Sequence, residues 1–277
     1  MELKELITEL RSKTGAGMMD CKRALEESKG KLDEAVTLLR KKGLADAARR
    51  SARVTKEGLI AYAEHGGAGA LIELNCETDF VAKTEEFSSL ALTLARKAAE
   101  GSLRETSQAL GLLEPAFAKL KENLSFRRLE RFAPLGPGVI AGYVHHGSKK
   151  GAMIELSAPS PEAAKSEALG LLAKELNLQI VGFSAKYLDK AAVPEADVAR
   201  ERDIFTEVVR KEGKPEAAIP KIVEGKLNKL FFQASCLLEQ MSVRDNKTPV
   251  ANLLKDAGAK AGGPVTVRRF ARFQLGE

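Results

Sequence analysis

The segment GLIAYAEHGGAGALIEL, residues 58–74, determines the fold that this sequence predicts. Two short apolar runs flank a glycine-rich turn, which is the pattern of a β-hairpin. The pattern returns 80 residues further on as GVIAGYVHHGSKKGAMIEL, residues 138–156. This repeat predicts two related subdomains, each built on an antiparallel sheet.

Each hairpin is followed by the same kinds of element. Apolar residues at helical spacing predict a helix over residues 84–100, and a Ser-Pro-Glu start predicts another over residues 160–176. The segments FRRLERF (126–132) and VRRFARF (267–273) alternate as strands do and are expected to close the two sheets. The fold class is therefore α+β.

The second copy is interrupted by residues 187–244, which have no counterpart in the first. Apolar stripes predict helices over 194–212 and 216–240, joined by the turn Gly213-Lys214-Pro215. Two such helices form an antiparallel helical hairpin that projects from the core. We expect it to touch another molecule or another copy of the chain; a stabilising buttress is the alternative.

The first fifty residues are expected to form a separate three-helix module. Apolar spacing places its helices at residues 3–10, 18–27 and 32–40, with a glycine-rich first turn. The alanine- and arginine-rich segment 45–53 reads as the connector to the core. Met18 and Met19 follow the first turn and suit an adaptable contact surface, although core packing is the alternative for at least one of them. The expected division is an N-terminal module at 1–54, core subdomain 1 at 55–135, core subdomain 2 at 136–186 and 245–277, and the inserted hairpin at 187–244.

Composition excludes several classes of protein. Of the 277 residues 44% are hydrophobic and 30% are charged, and no apolar run approaches the length of a membrane span. The charged, amphipathic N-terminus is unlike a signal peptide. Three distant cysteines and three histidines suggest neither a disulfide framework nor a metal site. We therefore expect a soluble, cytoplasmic protein with no metal, cofactor or catalytic residues.

The net charge of +6 is concentrated near the N-terminus, where residues 1–56 hold 14 Lys/Arg against 9 Asp/Glu. Such a segment suits an acidic protein face or nucleic acid. An RNA-binding protein using this module, Arg127-Arg128 and Arg268-Arg269 is an alternative, although no aromatic residues interleave the basic ones for base stacking. A hydrolase is a second alternative, because His65 and His146 lie at turns, but no nucleophile elbow or metal spacing accompanies them.

The segment NCETDFV, residues 75–81, lies where the predicted hairpin passes into the predicted helix. It places the anionic Asp79 beside the large aromatic Phe80. This pair can seat a phenyl ring in a partner's pocket while a carboxylate faces the partner's charges. The alternative is that Thr78 or Thr84 is a helix N-cap and Phe80 is ordinary core.

Two motifs, TGAGMMDCK at residues 14–22 and NCETDFVAK at residues 75–83, resemble those of the bacterial elongation factor Ts family. They stand in the family's order and separation, and the resemblance covers nearly the whole chain. It implies a protein that binds the GTPase elongation factor Tu and accelerates GDP release without chemistry of its own, requiring neither membrane nor direct contact with nucleic acid. It also implies that the N-terminal module is similar to ubiquitin-associated domains.

The resemblance assigns roles to individual residues. Asp79 and Phe80, flanked by Thr78 and Val81, fall on the family's intrusion site, which is implied to disturb the partner's Mg²⁺ near its switch region. Further contacts with the partner are implied for Met18, Met19, Lys22, Arg50 and His146. A dimer or 2:2 complex through the helical hairpin is a further expectation. The sequence KLKEN at 119–123 departs from the family's common Lys-Ile-Gly-Glu-Asn, because Lys121 stands in the glycine position.

Overall fold

The computed structural model describes residues 3–50 and 53–277, without the side chains of residues 44, 46–50 and 118. Its N-terminal module consists of helices α1 (Leu3–Thr14), α2 (Met18–Glu27) and α3 (Leu32–Arg50). The prediction that α3 ends near residue 40 is wrong, because the helix extends into the segment 45–53 that was predicted to connect the module to the core. Alanine, leucine, lysine and arginine are strong helix formers, so the helix continues to Arg50.

The first subdomain contains an antiparallel sheet with the strand order β1-β2-β3, as the hairpin and closing strand predicted. Its helices follow β2 and cover one face of the sheet. A short 3₁₀ turn at Thr106–Ala109 precedes the last helix. The elements are β1 (Glu57–His65), β2 (Ala68–Cys76), α4 (Asp79–Ala82), α5 (Glu85–Glu100), α6 (Leu110–Leu120) and β3 (Ser125–Phe132).

The second subdomain repeats this plan with strands β4 (Gly138–Val144) and β5 (Lys150–Ser157). The single helix predicted over 160–176 is instead two helices, α7 (Pro161–Ala164) and α8 (Glu167–Gly182). Ser160 caps the first, and Ser166 caps the second by accepting from the Leu169 N–H at 3.4 Å. A second capping serine therefore restarts the helix only two residues after the first one ends.

The inserted segment forms the expected helical hairpin, but its second arm is not one helix. Helix α9 (Glu195–Lys211) packs against α10 (Ile219–Lys226), which continues as a π-helical segment (Leu227–Phe232) and as α11 (Gln233–Ser235). The arm ends at Cys236, whose extended backbone pairs with Tyr187. Helix α12 (Val250–Ala261) and strand β6 (Val267–Gln274) then complete the second subdomain, with the strand order β4-β5-β6.

The two sheets pack face to face, so the core has four layers: helix α5, the first sheet, the second sheet and helix α8. The middle strand β2 is buried along its whole length, because α5 covers one face and the other sheet covers the opposite face. Gly142 allows this close approach, since a Cβ there would lie 2.4 Å from the Tyr62 ring. The cluster between the sheets contains Ile60, Leu71, Phe132, Met153 and Phe273.

A buried carboxylate in each middle strand joins the subdomains. Glu73 binds Arg128 at 2.7 Å, and Glu155 binds Arg269 at the same distance. Each arginine also donates to a carbonyl of the other subdomain, Arg128 to Gln274 and Arg269 to Ala133. The arginines on which the RNA-binding alternative relied therefore form internal ion pairs. Arg127 and Arg268 bind the same two carboxylates.

Candidate partner-binding site

The segment that follows β2 places Phe80 in solvent. The Thr78 side chain caps the four-residue helix α4 by accepting from the Val81 N–H at 3.3 Å, and Thr84 caps α5 in the same way. Phe80 lies in the first turn of α4, and 80% of its surface is exposed. The two parts of the alternative interpretation therefore separate: both threonines are N-caps, but Phe80 is not core.

The two neighbours of Phe80 make different contacts. The Asp79 carboxylate accepts a hydrogen bond from the Lys83 ammonium at 2.6 Å, and this bond lowers the pKa of Asp79 below its ordinary value. Asp79 is thus ionised at neutral pH, at the positive end of a helix. Val81, in contrast, packs against the core of the first subdomain. The segment presents an aromatic ring and a carboxylate while Val81 anchors it.

Glu122 and Asn123, the last two residues of the KLKEN sequence at 119–123, hold this segment in place. One Glu122 oxygen accepts from the N–H groups of Glu77 and Thr78 at 3.0 and 3.1 Å, and the other accepts from the Thr78 hydroxyl at 2.5 Å. The Glu77 carboxylate in turn accepts from the Asn123 N–H at 2.7 Å. Forty-five residues separate Glu77 from Glu122 in the chain, so periodicity carries no signal for this contact.

Met18 and Met19 begin α2 and are 58% and 62% exposed, so the alternative that one of them is core is wrong. Lys22, one turn further along, lies 3.8 Å from Glu26. Met18 and Lys22 border a shallow groove between α1 and α2 whose apolar wall includes Leu3 and Ile7. The module therefore displays an apolar surface with a cationic edge.

The remaining expected contacts lie elsewhere on the chain. His146 is exposed in the β4–β5 turn. This turn is held against β1 by the bond from the Ile60 N–H to the Ser148 carbonyl, at 2.7 Å, and by the Lys149–Glu57 ion pair. Because Glu57 pairs with Cys76 at the end of β2, the turn lies near the start of residues 75–81, which we call the Phe80 segment. Arg50 is the last residue of α3, and its side chain lies outside what the structure describes.

The departure at Lys121 has a structural consequence. Lys121 ends α6 with a positive φ of 57°, a left-handed conformation in which glycine is favoured. Its neighbour Lys119 lies over the first turn of the N-terminal module, where a Cβ at Gly15 would meet the Lys119 side chain at 2.3 Å. Residues 119–123 therefore touch both the N-terminal module and the Phe80 segment.

Residues 3–50 and 53–277 contain no cluster of His, Cys, Asp and Glu that could hold a metal ion, and no helix among them is long and apolar enough to cross a bilayer. Cys21, Cys76 and Cys236 are buried, and burial raises the pKa of the Cys76 thiol to about 12. These thiols are poor nucleophiles at neutral pH.

Fold and site together define a class: an α+β protein of two repeated sheet-and-helix units, preceded by a three-helix module and displaying an exposed aromatic ring at a strand–helix junction. A family model described as elongation factor TS matches residues 77–277. The chain is 42% identical over 279 residues to elongation factor Ts of Symbiobacterium thermophilum, covering 99% of this chain and 91% of the relative. It is 41% identical over 275 residues to that of Nitratidesulfovibrio vulgaris, covering 98% and 95%. The chain belongs to the elongation factor Ts family, and so to the translation elongation factors of protein biosynthesis.

Proposed function

We propose that this protein binds elongation factor Tu in its GDP-bound form in the cytoplasm and promotes release of GDP, after which GTP rebinds. Membership of the elongation factor Ts family supports this role. The observation that carries the mechanism is the 80% exposure of Phe80 on a segment that its own protein holds firmly. An aromatic side chain kept in water in this way is available as an anchor for a partner's pocket.

In the proposed mechanism, Phe80 and Asp79 enter near the switch region of the GTPase, with Thr78 and Val81 fixing their position. The GDP of such a GTPase is held by a phosphate-binding loop and by Mg²⁺. Because Mg²⁺ requires near-ideal octahedral geometry, a small displacement of its surroundings weakens the binding of Mg²⁺. The binding of GDP is then weakened as well. Linkage makes the effect reciprocal, so GDP weakens binding of the exchange factor by the same factor.

The remaining surfaces have separate proposed roles. Residues 1–54 form a grip on the GTPase domain, with proposed contacts from Met18, Met19, Lys22 and Arg50. The two proposed core subdomains are residues 55–135 and residues 136–186 with 245–277. The inserted hairpin at 187–244 supports association into a dimer or a 2:2 complex. His146, in the β4–β5 turn of the second subdomain, is a further proposed contact.

Release of fluorescently labelled GDP from purified elongation factor Tu tests the proposal. We expect substoichiometric amounts of this protein to accelerate release, and the protein alone to hydrolyse no nucleotide. Release at the uncatalysed rate would overturn the proposal. The RNA-binding alternative predicts instead an RNA affinity that falls steeply with salt, because binding would release counterions.

A further inference from the structure

We infer that Glu122 is a positioning residue for nucleotide exchange: it acts through Thr78 to hold Phe80 and Asp79 in the orientation that enters the partner. The inference rests on the proposed function. The Glu122 carboxylate accepts three hydrogen bonds from Glu77 and Thr78. Bonds to an ionised acceptor are shorter and stronger than neutral ones.

Helix α4 has little of its own to fix its direction. It is four residues long and contains no fully buried side chain. Isolated helices of this length are unstable in water, because nucleation fixes several residues for one hydrogen bond. The direction in which Phe80 points therefore depends on the cap and on the packing beneath Val81.

Thr78 connects that cap to Glu122. Its hydroxyl oxygen accepts from the Val81 N–H, while its hydrogen is donated to the Glu122 carboxylate. Glu122 therefore fixes the rotamer with which Thr78 caps α4. Without this acceptor the hydroxyl can rotate, and the N–H groups of Glu77 and Thr78 lose their partner.

Glu122 is itself held by the core. Helix α6 packs into the first subdomain through Leu113, Ala116 and Phe117, all of which are buried. The left-handed conformation of Lys121 ends this helix directly before Glu122. Asn123, on the other side, binds the Glu77 carboxylate through its N–H and the Arg53 carbonyl through its side chain. The backbone of Glu122 is thus fixed on both sides, and this holds its carboxylate in place.

A double-mutant cycle separates positioning from general stabilisation. The variants are Glu122→Ala, Phe80→Ala and their combination, and the measurement is the maximal rate of GDP release from elongation factor Tu at saturating exchange factor. We expect Glu122→Ala to lower this rate on the order of tenfold, the size expected when bonds to a charged group are lost. In the Phe80→Ala background the same change should have almost no further effect, because residues that act as one unit are not additive.

Three further measurements complete the test. Glu122→Gln should recover part of the rate, because its carboxamide oxygen still accepts a hydrogen bond; if Glu122→Ala fails to fold, this variant takes its place in the cycle. Glu100→Ala, which removes an exposed carboxylate at the end of α5, should leave the rate unchanged. In the free protein, Glu122→Ala should speed amide hydrogen exchange at Glu77 and Thr78.

The outcomes distinguish the two claims. If Phe80→Ala releases GDP at the full rate, the proposed wedge is overturned and the role of Glu122 with it. If Phe80→Ala slows release while Glu122→Ala has no effect, or has the same effect in both backgrounds, only the positioning role is overturned.

Discussion

Two phenylalanines seven residues apart have opposite environments, and this difference gives the residue-scale test of the site. Phe80 is 80% exposed, whereas Phe87 is fully buried beneath the first sheet. An aromatic anchor in a partner's pocket is commonly worth about 2–4 kcal/mol on truncation. We therefore expect Phe80→Ala to slow stimulated GDP release by roughly tenfold or more, with little change in melting temperature.

Phe87→Ala is the matched control. It removes the same ring from the core and should cost about 3–5 kcal/mol of unfolding free energy, measured by urea denaturation. A Phe80→Ala protein that exchanges normally but melts many degrees lower would contradict the assignment of Phe80 as an anchor.

Lys121 gives a second residue-scale prediction, because a lysine occupies a left-handed position at the end of α6. A left-handed conformation costs a residue with a Cβ about 1–2 kcal/mol, which glycine avoids. Glycine also makes the unfolded chain more flexible, and this lowers the unfolding free energy by about 0.4–1 kcal/mol. We expect Lys121→Gly to raise the unfolding free energy by about 0.5–1 kcal/mol, the difference between these two effects, as measured by urea denaturation.

Lys121→Ala separates backbone strain from charge. It keeps the Cβ but removes the ammonium group, so it should give no gain in stability. The lost charge matters little, because the hydrogen bond from Lys42 is the main cause of the lowered pKa of Asp20, while Lys121 contributes less. Equal gains from both substitutions would show that left-handed strain is not the cause.

At the scale of elements, the carboxylate of Glu155 fixes β5 to β6. Burial raises the pKa of this carboxyl, but the Leu135 N–H and the guanidinium groups of Arg269 and Arg268 outweigh burial and leave the pKa below its ordinary value. Its contribution to stability is therefore complete above about pH 4.5, the ordinary value, and is lost as the pH falls through the lower pKa of the folded protein.

Glu155→Gln should therefore flatten the loss of stability below pH 4.5, measured by urea denaturation at several pH values. It should also lower the unfolding free energy at pH 7 by about 2–3 kcal/mol, less than for a fully buried pair, because the guanidinium groups are partly exposed. Glu130→Gln, at an exposed position of β3, should leave both quantities unchanged. If Glu155→Gln loses unfolding free energy below pH 4.5 as steeply as the unmutated protein, this carboxyl is not linked to folding.

The inserted hairpin is an element with its own core, containing Val209, Ile219, Val223, Leu227 and Phe232. It joins the second subdomain at a narrow neck, where Tyr187 pairs with Cys236 and the Leu237 N–H donates to the Tyr187 carbonyl at 2.9 Å. Replacing residues 189–234 by a short Gly/Ser linker keeps this neck. We expect the variant to stay folded and to retain most exchange activity, while sedimentation shows that association is changed. Complete loss of exchange in a folded variant would contradict a role in association alone.

The same elements show what the sequence predicts and what it leaves out. The repeated hairpins and closing strands carry strong local signals, so both sheets and their order were predictable. The breaks in the second hairpin arm were not, because a π-helical segment and an extended Cys236 depend on packing rather than periodicity. Glu73 and Glu155 carried an overlooked signal: a carboxylate recurs at the same place in both repeats, and each faces an arginine of the closing strand.

At the scale of the whole molecule, the N-terminal module is in direct contact with the core. Helix α3 packs along α6, and the Arg40 guanidinium binds the Glu114 carboxylate at 2.5 Å. Arg53 adds a further link, because its guanidinium lies 3.4 Å from the Glu77 carboxylate. The same carboxylate accepts from the N–H of Asn123, the residue that follows Glu122. The boundary at residue 54 therefore separates Arg53 from its contact in the Phe80 segment.

Two deletions follow from these contacts. Removing residues 1–50 keeps Arg53, whereas removing residues 1–54 does not. Both should leave the core folded by circular dichroism, because the core of the first subdomain is built from residues 59–126. Both should raise the concentration needed for half-maximal GDP release, since the apolar surface around Met18 and Met19 is gone. Only the longer deletion should also lower the maximal rate, because it removes Arg53, whose guanidinium lies beside the Glu77 carboxylate and whose carbonyl binds the Asn123 side chain. An unfolded core in either variant would mean that the module is part of the fold and not a separable grip.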